Sequence, residues 1–248
     1  MIVNPIRFYV PPNSGLSYLA EKVREYVEEG DILAVSSKAI SFAEGRLVKL
    51  SEVEVSKRGR ALAEKYSLIP EIAELILMEA EKILGGVEGF VLTLKFGILC
   101  PNAGIDTSNA PEGFAVLYPE NPLNSAKYLK KILKTGVVIT DSRILPLRRG
   151  VVGVALAYSG ICGVEDLRGR RDLYGKELKK TFRNVADMLA SAANLLMGEA
   201  DEMTPAVVFK DHPVKLGNDE LNISVKADEC LYGKLINCGK LINKSGYP

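Results

Sequence analysis

Residues 90–113 read FVLTLKFGILCPNAGIDTSNAPEG. Residues 90–100 alternate enough between apolar and polar side chains to form one or two strands. The chain then runs into Pro, Asn, Gly, Asp, Thr and Ser, each a turn-forming residue. No G-x-x-x-x-G-K-[ST] motif and no G-x-G-x-x-G opening a helix occurs anywhere. The stretch therefore points away from a Rossmann or P-loop sheet and toward a mixed α+β fold. It also raises a chemical question. Asp106 stands as an acid among amides and hydroxyls, either as a turn residue or as part of a site.

Working outward, SGLSYLAEKVREYVEEGD (14–31) places Leu16, Leu19, Ala20 and Val23 at helical spacing, with Gly30 as the stop. Residues 31–36 read as a buried strand that ends in hydroxyls and a lysine. SKRGRALAEKYS (56–67) and PEIAELILMEAEKILGG (70–86) read as consecutive helices, the second opened by Pro70 and closed by Gly85. NPLNSAKYLKKILKTG (121–136) is helical, while GVVITD (136–141) and GVVGVALAYSG (150–160) are strands. EDLRGRRDLYGKEL (165–178) reads as a charged linker. KKTFRNVADMLASAANLLMGEA (179–200) is the clearest helix, with Phe182, Val185, Leu189, Ala192 and Leu196 as its apolar stripe and Gly198 as its end. PAVVFKD (205–211) is a last core strand. The expected organisation is a core over 1–215 and an extension over 216–248 that adds a small strand and helix on the outside.

The 248 residues carry 32 Lys and Arg against 31 Asp and Glu. Near-neutrality of this kind argues against a general nucleic-acid binder. A chain of this length buries about 70–75% of its unfolded surface and needs no disulfide staple. The N-terminal MIVNPIRFYVPPNSG lacks the pattern of a signal peptide, and no apolar run approaches the ~20 residues that span a bilayer. The expectation is a cytoplasmic protein with no membrane partner. Cys100, Cys162, Cys230 and Cys238 are scattered without a C-x-x-C pair, and His212 is the one histidine. These read as buried thiols rather than a zinc site, so the chemistry falls to carboxylates, cations and bound metal.

Four places share one pattern, an apolar run that ends in a hydroxyl, amide or acid: Ser36-Ser37-Lys38, Asn102 to Asn109, Asp141-Ser142, and Gly198-Glu199. Loops at the ends of rigid elements carry function. Asp106, Asp141 and Glu199 together would offer hard oxygen donors suited to Mg²⁺ or Mn²⁺. Taken singly, Asp106 reads first as a turn residue, Asp141 as a cap or a ligand, and Glu199 as a solvated acid that opposes the helix dipole. Arg143, Arg148 and Arg149 follow Asp141 closely and suit a polyanionic substrate. The second basic cluster, Arg168 to Lys176, reads equally as a solvated linker.

AVSSKAISFAEGR (34–46), CPNAGIDTSN (100–109), GVVITDS (136–142), RRGVVGVALAYSGI (148–161), DLRGRRDLYGKEL (166–178) and VADMLASAANLLMGEADEMTPAVV (185–208) follow one another in an order and spacing that resemble the coenzyme F-420-0:L-glutamate ligases. The resemblance runs over about residues 10–209. It implies a GTP-dependent γ-glutamyl ligase with a two-lobed α+β fold, working as a homodimer on GTP, L-glutamate and a deazaflavin phosphodiester precursor, with two divalent ions, Mg²⁺ or Mn²⁺. By motif it implies metal ligands at Asp106, Asp141, Ser142 and Glu199. It implies nucleotide contacts at Val10, Pro11, Pro12 and Asn13, at Ser37, Lys38 and Asn109, and at Met197, Gly198, Glu199, Ala200, Asp201, Glu202, Met203 and Thr204. Catalytic roles would fall to Asp141, Arg148 and Lys38. The family pattern T-D-[ST]-x-G-R-x-[FW]-R is here TDSRILPLR: Ile144 and Leu145 replace Gly-Arg, Leu147 replaces the aromatic, Arg148 remains and Arg143 is new. A sister ligase with another acidic acceptor, or a nucleotide-binding paralogue without catalysis, are the alternatives this leaves.

Overall fold

The computed structural model describes residues 1–217, 223–226 and 228–233. The chain opens with strand β1 (Ile2–Ile6), helix α1 (Leu16–Val23), β2 (Ile32–Ser36) and α2 (Ser37–Ala43). It continues through β3 (Leu47–Lys49), α3 (Lys57–Tyr66), α4 (Pro70–Glu79), β4 (Lys82–Val87), β5 (Phe90–Lys95), β6 (Ile98–Pro101) and β7 (Phe114–Val116). It ends with α5 (Pro122–Leu133), β8 (Gly136–Ile144), β9 (Val151–Ser159), β10 (Val164–Asp166), β11 (Phe182–Asn184), α6 (Val185–Met197) and β12 (Ala206–Lys210). The fold is mixed α+β and divides into two compact units. The first joins Met1–Glu44 to Asn121–Ile223; the second takes Gly45–Glu120 and the described residues after Ile223. The Gly45–Glu120 part of the second unit is thus inserted in the chain of the first.

The first unit is built on a five-stranded sheet in the order β1-β12-β2-β8-β9. Only β2 and β8 run parallel, with Ser36 level with Thr140. Both strands are nearly continuous apolar runs, as strands buried on two faces require. Ile32, Ala34, Val138, Val207 and Phe209 pack with Val185, Ala186, Leu189, Ala190 and Ala193 of α6. The alternate residues, Leu33, Val35, Val137 and Ile139, point to the opposite face and are equally buried. Helix α5 packs on β8 and β9 with α1 beside it.

Three sequence expectations change. Helix α1 stops at Val23 rather than running to Gly30, and its buried residues are only Leu19, Ala20 and Val23. Helix α4 ends at Glu79 rather than Gly85, because residues 82–87 pair antiparallel with β5 across a Glu88-Gly89 turn. Strand pairing there outweighs local helix propensity. Helix α6 starts at Val185, since the Asn184 side chain caps it by accepting the Asp187 N–H at 3.0 Å. Phe182 instead pairs with Asp166 in the β10–β11 ribbon, so part of the charged stretch is strand. The buried face of α6 is Val185, Ala186, Leu189, Ala190, Ala193 and Met197, while Leu196 lies exposed. The expected outer strand and helix of the tail fall largely outside the described residues.

The second unit contains the antiparallel sheet β4-β5-β6 and the β3–β7 pair. Its core centres on Leu62, Ile76, Val91, Ala103 and Ala115. Glu79 at the end of α4 takes a hydrogen bond from Arg46 Nη2 at 3.0 Å and pairs with Lys95 Nζ. Burial pushes the Glu79 carboxyl up, but Lys95 and Arg46 outweigh it and hold the group below the usual carboxylate range.

Two stability outcomes follow from this packing. Glu79→Ala leaves the buried Lys95 ammonium without that carboxylate and should cost about 3–5 kcal/mol in denaturant unfolding. Because the folded-state group is depressed, the advantage of wild type over the variant should be full above the ordinary carboxylate range and fade as pH falls through the depressed value. In the first unit, a Cβ added to Gly153 would collide with the Ala190 carbonyl of α6. Gly153→Ala should therefore lower stability by about 1–3 kcal/mol, read by the same unfolding experiment.

Candidate active site

The carboxyl ends of β2 and β8 lie at the same edge of the sheet because the two strands are parallel. The antiparallel partners bring other segments to that edge. Ala206 at the start of β12 is level with Val35, and Ile6 at the end of β1 is level with Ala206. The edge therefore gathers the loop after β1, the start of α2, the far half of β8 and the segment between α6 and β12. All four carry residues that the sequence motifs mark as site residues.

Ser36 and Ser37 divide two tasks. Ser36 caps α2, its Oγ accepting the Ala39 N–H at 3.1 Å. Ser37, buried, donates its hydroxyl to Asp141 Oδ1 at 3.1 Å. Lys38 follows in the first turn of α2. The other Asp141 oxygen, Oδ2, faces Arg143 Nη2 at 3.4 Å, and that arginine is buried. Arg143 was grouped with Arg148 and Arg149 by sequence; the structure separates them. Arg148 stands exposed in the β8–β9 turn, its N–H donating to the Leu145 carbonyl at 3.2 Å. Two-residue alternation along a strand is the signal that picks out Arg143, since it shares the face of Asp141.

A bulge precedes Asp141. Ile139 pairs with Ala157 but Thr140 pairs with Ala155, so Leu156 is an extra residue on β9. The extra residue lies on β9, so the alternation along β8 runs on unbroken. Thr140 then points to α6, its hydroxyl 3.5 Å from the Ala190 carbonyl. By alternation Ser142 shares that face, opposite to Asp141. Ser142 pairs with Gly153, which lies under Ala190 and Asn194. Asn194 in turn donates Nδ2–H to Glu199 Oε1 at 2.7 Å. Ser142 and Glu199 therefore belong to the α6 side of the edge, and Asp141 and Ser37 to the other.

Beneath the bulge, Asp187 Oδ1 accepts the Ala155 N–H at 2.8 Å, and Oδ2 accepts Asn184 Nδ2–H at 2.7 Å. Burial raises the Asp187 carboxyl above the usual range against the pull of the Ala155 N–H, Arg143 and Asn184. In the sequence this residue reads as an ordinary first-turn helix acid.

The loop of Val10, Pro11, Pro12 and Asn13 is fixed to α2 by the Asn13 N–H to the Phe42 carbonyl at 2.9 Å. The segment from Met197 to Thr204 leaves α6 at Gly198 (φ 72°) and joins β12. Met203 accepts the Phe8 N–H at 3.2 Å, and Pro205 accepts the Ser36 N–H at 2.9 Å. Ala200 N–H donates to Glu202 Oε2 at 2.8 Å. Backbone N–H groups of Glu202 and Ala200 hold the Glu202 carboxyl below its usual range, with burial opposing and Glu199 N–H assisting. Turns of this kind, with successive N–H groups facing an anion, also cradle phosphate.

Asp106 and Asn109 lie in the second unit. Asp106 exchanges backbone hydrogen bonds with Val116, and its carboxylate takes both the N–H of Ser108 at 2.8 Å and its hydroxyl at 2.6 Å. The turn reading of Asp106 is realised in that local loop. Asn102, Ala103 and Asn109 have φ of 49°, 54° and 51°, as Asn13 and Met203 have 59° and 53°. Positive φ outside glycine costs about 1–3 kcal/mol each and clusters at functional segments. Among the described residues, no group of three His, Cys, Asp or Glu side chains gathers to hold a metal, and no helix is long and apolar enough to cross a membrane.

Comparison with known proteins agrees with this motif order. A family described as F420-0:Gamma-glutamyl ligase matches residues 15–211. A coenzyme F420:L-glutamate ligase of Methanopyrus kandleri is 45% identical over 213 residues, 83% of this chain and 84% of that protein. The protein of the same name from Archaeoglobus fulgidus is 42% identical, covering 77% of this chain and 80% of its own length. That from Methanocaldococcus jannaschii is 39% identical, with 81% and 83% covered. Such identity, carried over most of both lengths, makes this chain a member of the F420-0:gamma-glutamyl ligase family.

Proposed function

We propose that the protein is a GTP- and divalent-metal-dependent ligase that adds L-glutamate by an amide bond to the deazaflavin coenzyme F-420-0, through an acyl phosphate, as a homodimer in the cytoplasm. The observation that carries this reading is the carboxylate of Asp141, oriented by Ser37 at the carboxyl end of the one parallel strand pair, in a chain of this family.

The donor set of the first unit fits a hard ion. Asp141 on one face of β8, and Ser142 and Glu199 on the α6 side, each offer oxygen only, as Mg²⁺ and Mn²⁺ prefer. Such ions are commonly held by one or two carboxylates together with substrate phosphates rather than by an all-protein cage, so three converging acids are not required. An ion held at Asp141 would supply charge neutralisation at the phosphate oxygens.

A carboxylate is a poor electrophile and must be activated. The acceptor carboxylate oxygen attacks the γ-phosphorus of GTP, the bond to the β–γ bridging oxygen breaks, and GDP leaves. The glutamate amine then attacks the acyl carbon: a C–N bond forms, the C–O bond breaks, inorganic phosphate departs and the amine loses a proton. Positioning and fixed charge dominate phosphoryl transfer. In this reading Lys38 and Arg143 supply the fixed positive charge. The loop Val10–Asn13 and the backbone amides of 199–202 hold the nucleotide, the Glu202 carboxylate marking where an anion is welcome. Arg148, at the β8–β9 turn, meets the acidic acceptor.

A second reading, a ligase of the same chemistry with another acidic acceptor, is favoured by that turn. Ile144, Leu145 and Leu147 expose their side chains there, Leu147 completely, beside Arg148 and Arg149.

The test is incubation with GTP, Mn²⁺ and glutamate, with and without coenzyme F-420-0, following GDP and product mass. Acceptor-dependent GDP and a product heavier by one glutamyl unit are expected. GDP release without an adduct would favour the second reading, and GTP binding without turnover would contradict both. Asp141→Ala should reduce ligation by about 100- to 1000-fold, the usual loss when one electrostatic stabiliser is removed.

A further inference from the structure

Helix α6 ends at Gly198, and the residue after it is an acid. A negative charge at the C-terminus of a helix opposes the helix dipole, so the place favours a cation. Glu199, although exposed, is not left to turn in water: its Oε1 accepts Asn194 Nδ2–H at 2.7 Å. An ionised carboxylate only accepts, so the amide must present its nitrogen there. The two residues are five apart in the chain, and on an unbroken helix they would stand about 140° apart around the axis. They meet because Gly198 leaves the helix with φ 72° and ψ −176°, a combination that essentially only glycine adopts, and brings Glu199 back to the turn of Asn194.

Asn194 is anchored where it stands. Its carbonyl accepts the Gly198 N–H at 3.0 Å. In the preceding turn the Ser191 hydroxyl donates to the Gly153 carbonyl at 2.6 Å. Helix and strand touch at that point, since a Cβ on Gly153 would come within 2.8 Å of Asn194 Cβ. Gly153 is the partner of Ser142 on β8. The amide that holds Glu199 is thereby fixed to the part of the sheet that carries Ser142. It is the one hydrogen-bond partner of the Glu199 carboxylate among the described residues.

We infer that Asn194 is a positioning residue for Glu199, holding its carboxylate on the Ser142 side of the sheet edge as an oxygen donor to a divalent ion. The consequence for ion binding rests on the reading of Glu199 given above; the hold itself does not. A glutamate side chain has several rotatable bonds, and fixing them ahead of the ion lowers the entropic cost of binding. Asn194 does not touch the ion in this account. It acts through the Glu199 carboxylate, as outer hydrogen-bond partners orient a metal ligand.

The test compares Asn194→Ala, Glu199→Ala and the double variant by metal-free crystal structures and by Mn²⁺ titration followed by electron paramagnetic resonance. Alanine keeps the Cβ beside Gly153 and favours a helix more than asparagine does, so Asn194→Ala should fold and melt near wild type. In it the Glu199 carboxylate should leave its place, and Mn²⁺ should bind about 10-fold more weakly, the lower end of the usual loss because the contact is exposed. In the Glu199→Ala background the same change should have no further effect. A merely structural role would lower the melting temperature of Asn194→Ala while leaving Glu199 and Mn²⁺ affinity as in wild type. An equal loss of affinity with and without the Glu199 carboxylate would mean that Asn194 acts by another route. Either result overturns the inference. Should Asn194→Ala not fold, Asn194→Leu keeps the side-chain volume without the donor and is read in the same way. If Glu199→Ala binds Mn²⁺ as tightly as wild type, Glu199 is no ligand and that part of the proposed function fails. The positioning role is then decided by the crystal structure of Asn194→Ala: it stands if the Glu199 carboxylate has moved and is overturned if it has not.

Discussion

Parallel pairing of β2 with β8 sets Ser36 level with Thr140, and one residue further along each strand the Ser37 hydroxyl reaches the Asp141 carboxylate. These residues are 104 positions apart in the chain, with the Gly45–Glu120 part of the second unit between them. Their meeting depends on register. A strand slipped by one residue would turn Asp141 toward α6 and bring Thr140 to Ser37. Burial on both faces enforces the register, because Leu33, Val35, Val137 and Ile139 serve one side while Ala34 and Val138 serve the other.

Around this contact the first unit collects backbone in uncommon conformations. Asn13 and Met203 hold positive φ, and each lies in a loop that sequence motifs connect with the nucleotide. Asparagine tolerates that region through local hydrogen bonding, whereas methionine has no such compensation. Met203 is held by the Phe8 N–H at its carbonyl and by the adjoining Thr204, which is buried. The second unit stores similar strain in Asn102, Ala103 and Gly104, where a Cβ on Gly104 would collide with the Tyr118 ring. Positive φ also occurs at Ser67, Phe96, Lys134, Leu147 and Asp211, so the motif loops share it with helix ends and turns.

Much of this was legible in the sequence. The strands at 136–141 and 205–211 are β-branched runs that can only be buried, and the stretch at 90–100 resolves into the hairpin β5–β6 as its alternation suggests. What escaped depended on partners distant in sequence. Residues 82–87 have helix-compatible neighbours and become strand only because β5 pairs with them. The apolar stripe of α6 was rotated because Phe182, counted as helical, is taken by Asp166 in the ribbon. In the candidate site, Asp141 and Ser37 stood out as polar residues at the ends of apolar runs. Arg143 was visible but grouped with Arg148, and only the strand geometry separates a buried guanidinium beside Asp141 from an exposed one in the turn. Asp187 gave no sequence signal, since its partner is a backbone N–H that no motif records.

The proposed site gives Asp141 the task of holding a divalent ion against the phosphates of a guanine nucleotide. A crystal structure with GDP and Mn²⁺, with the manganese located by anomalous scattering, addresses that task directly. The account expects manganese within coordination distance of an Asp141 carboxylate oxygen, with the diphosphate against the loop of 10–13 and the segment of 197–204. Manganese and diphosphate bound elsewhere, with Asp141 still turned only to Ser37 and Arg143, would contradict it.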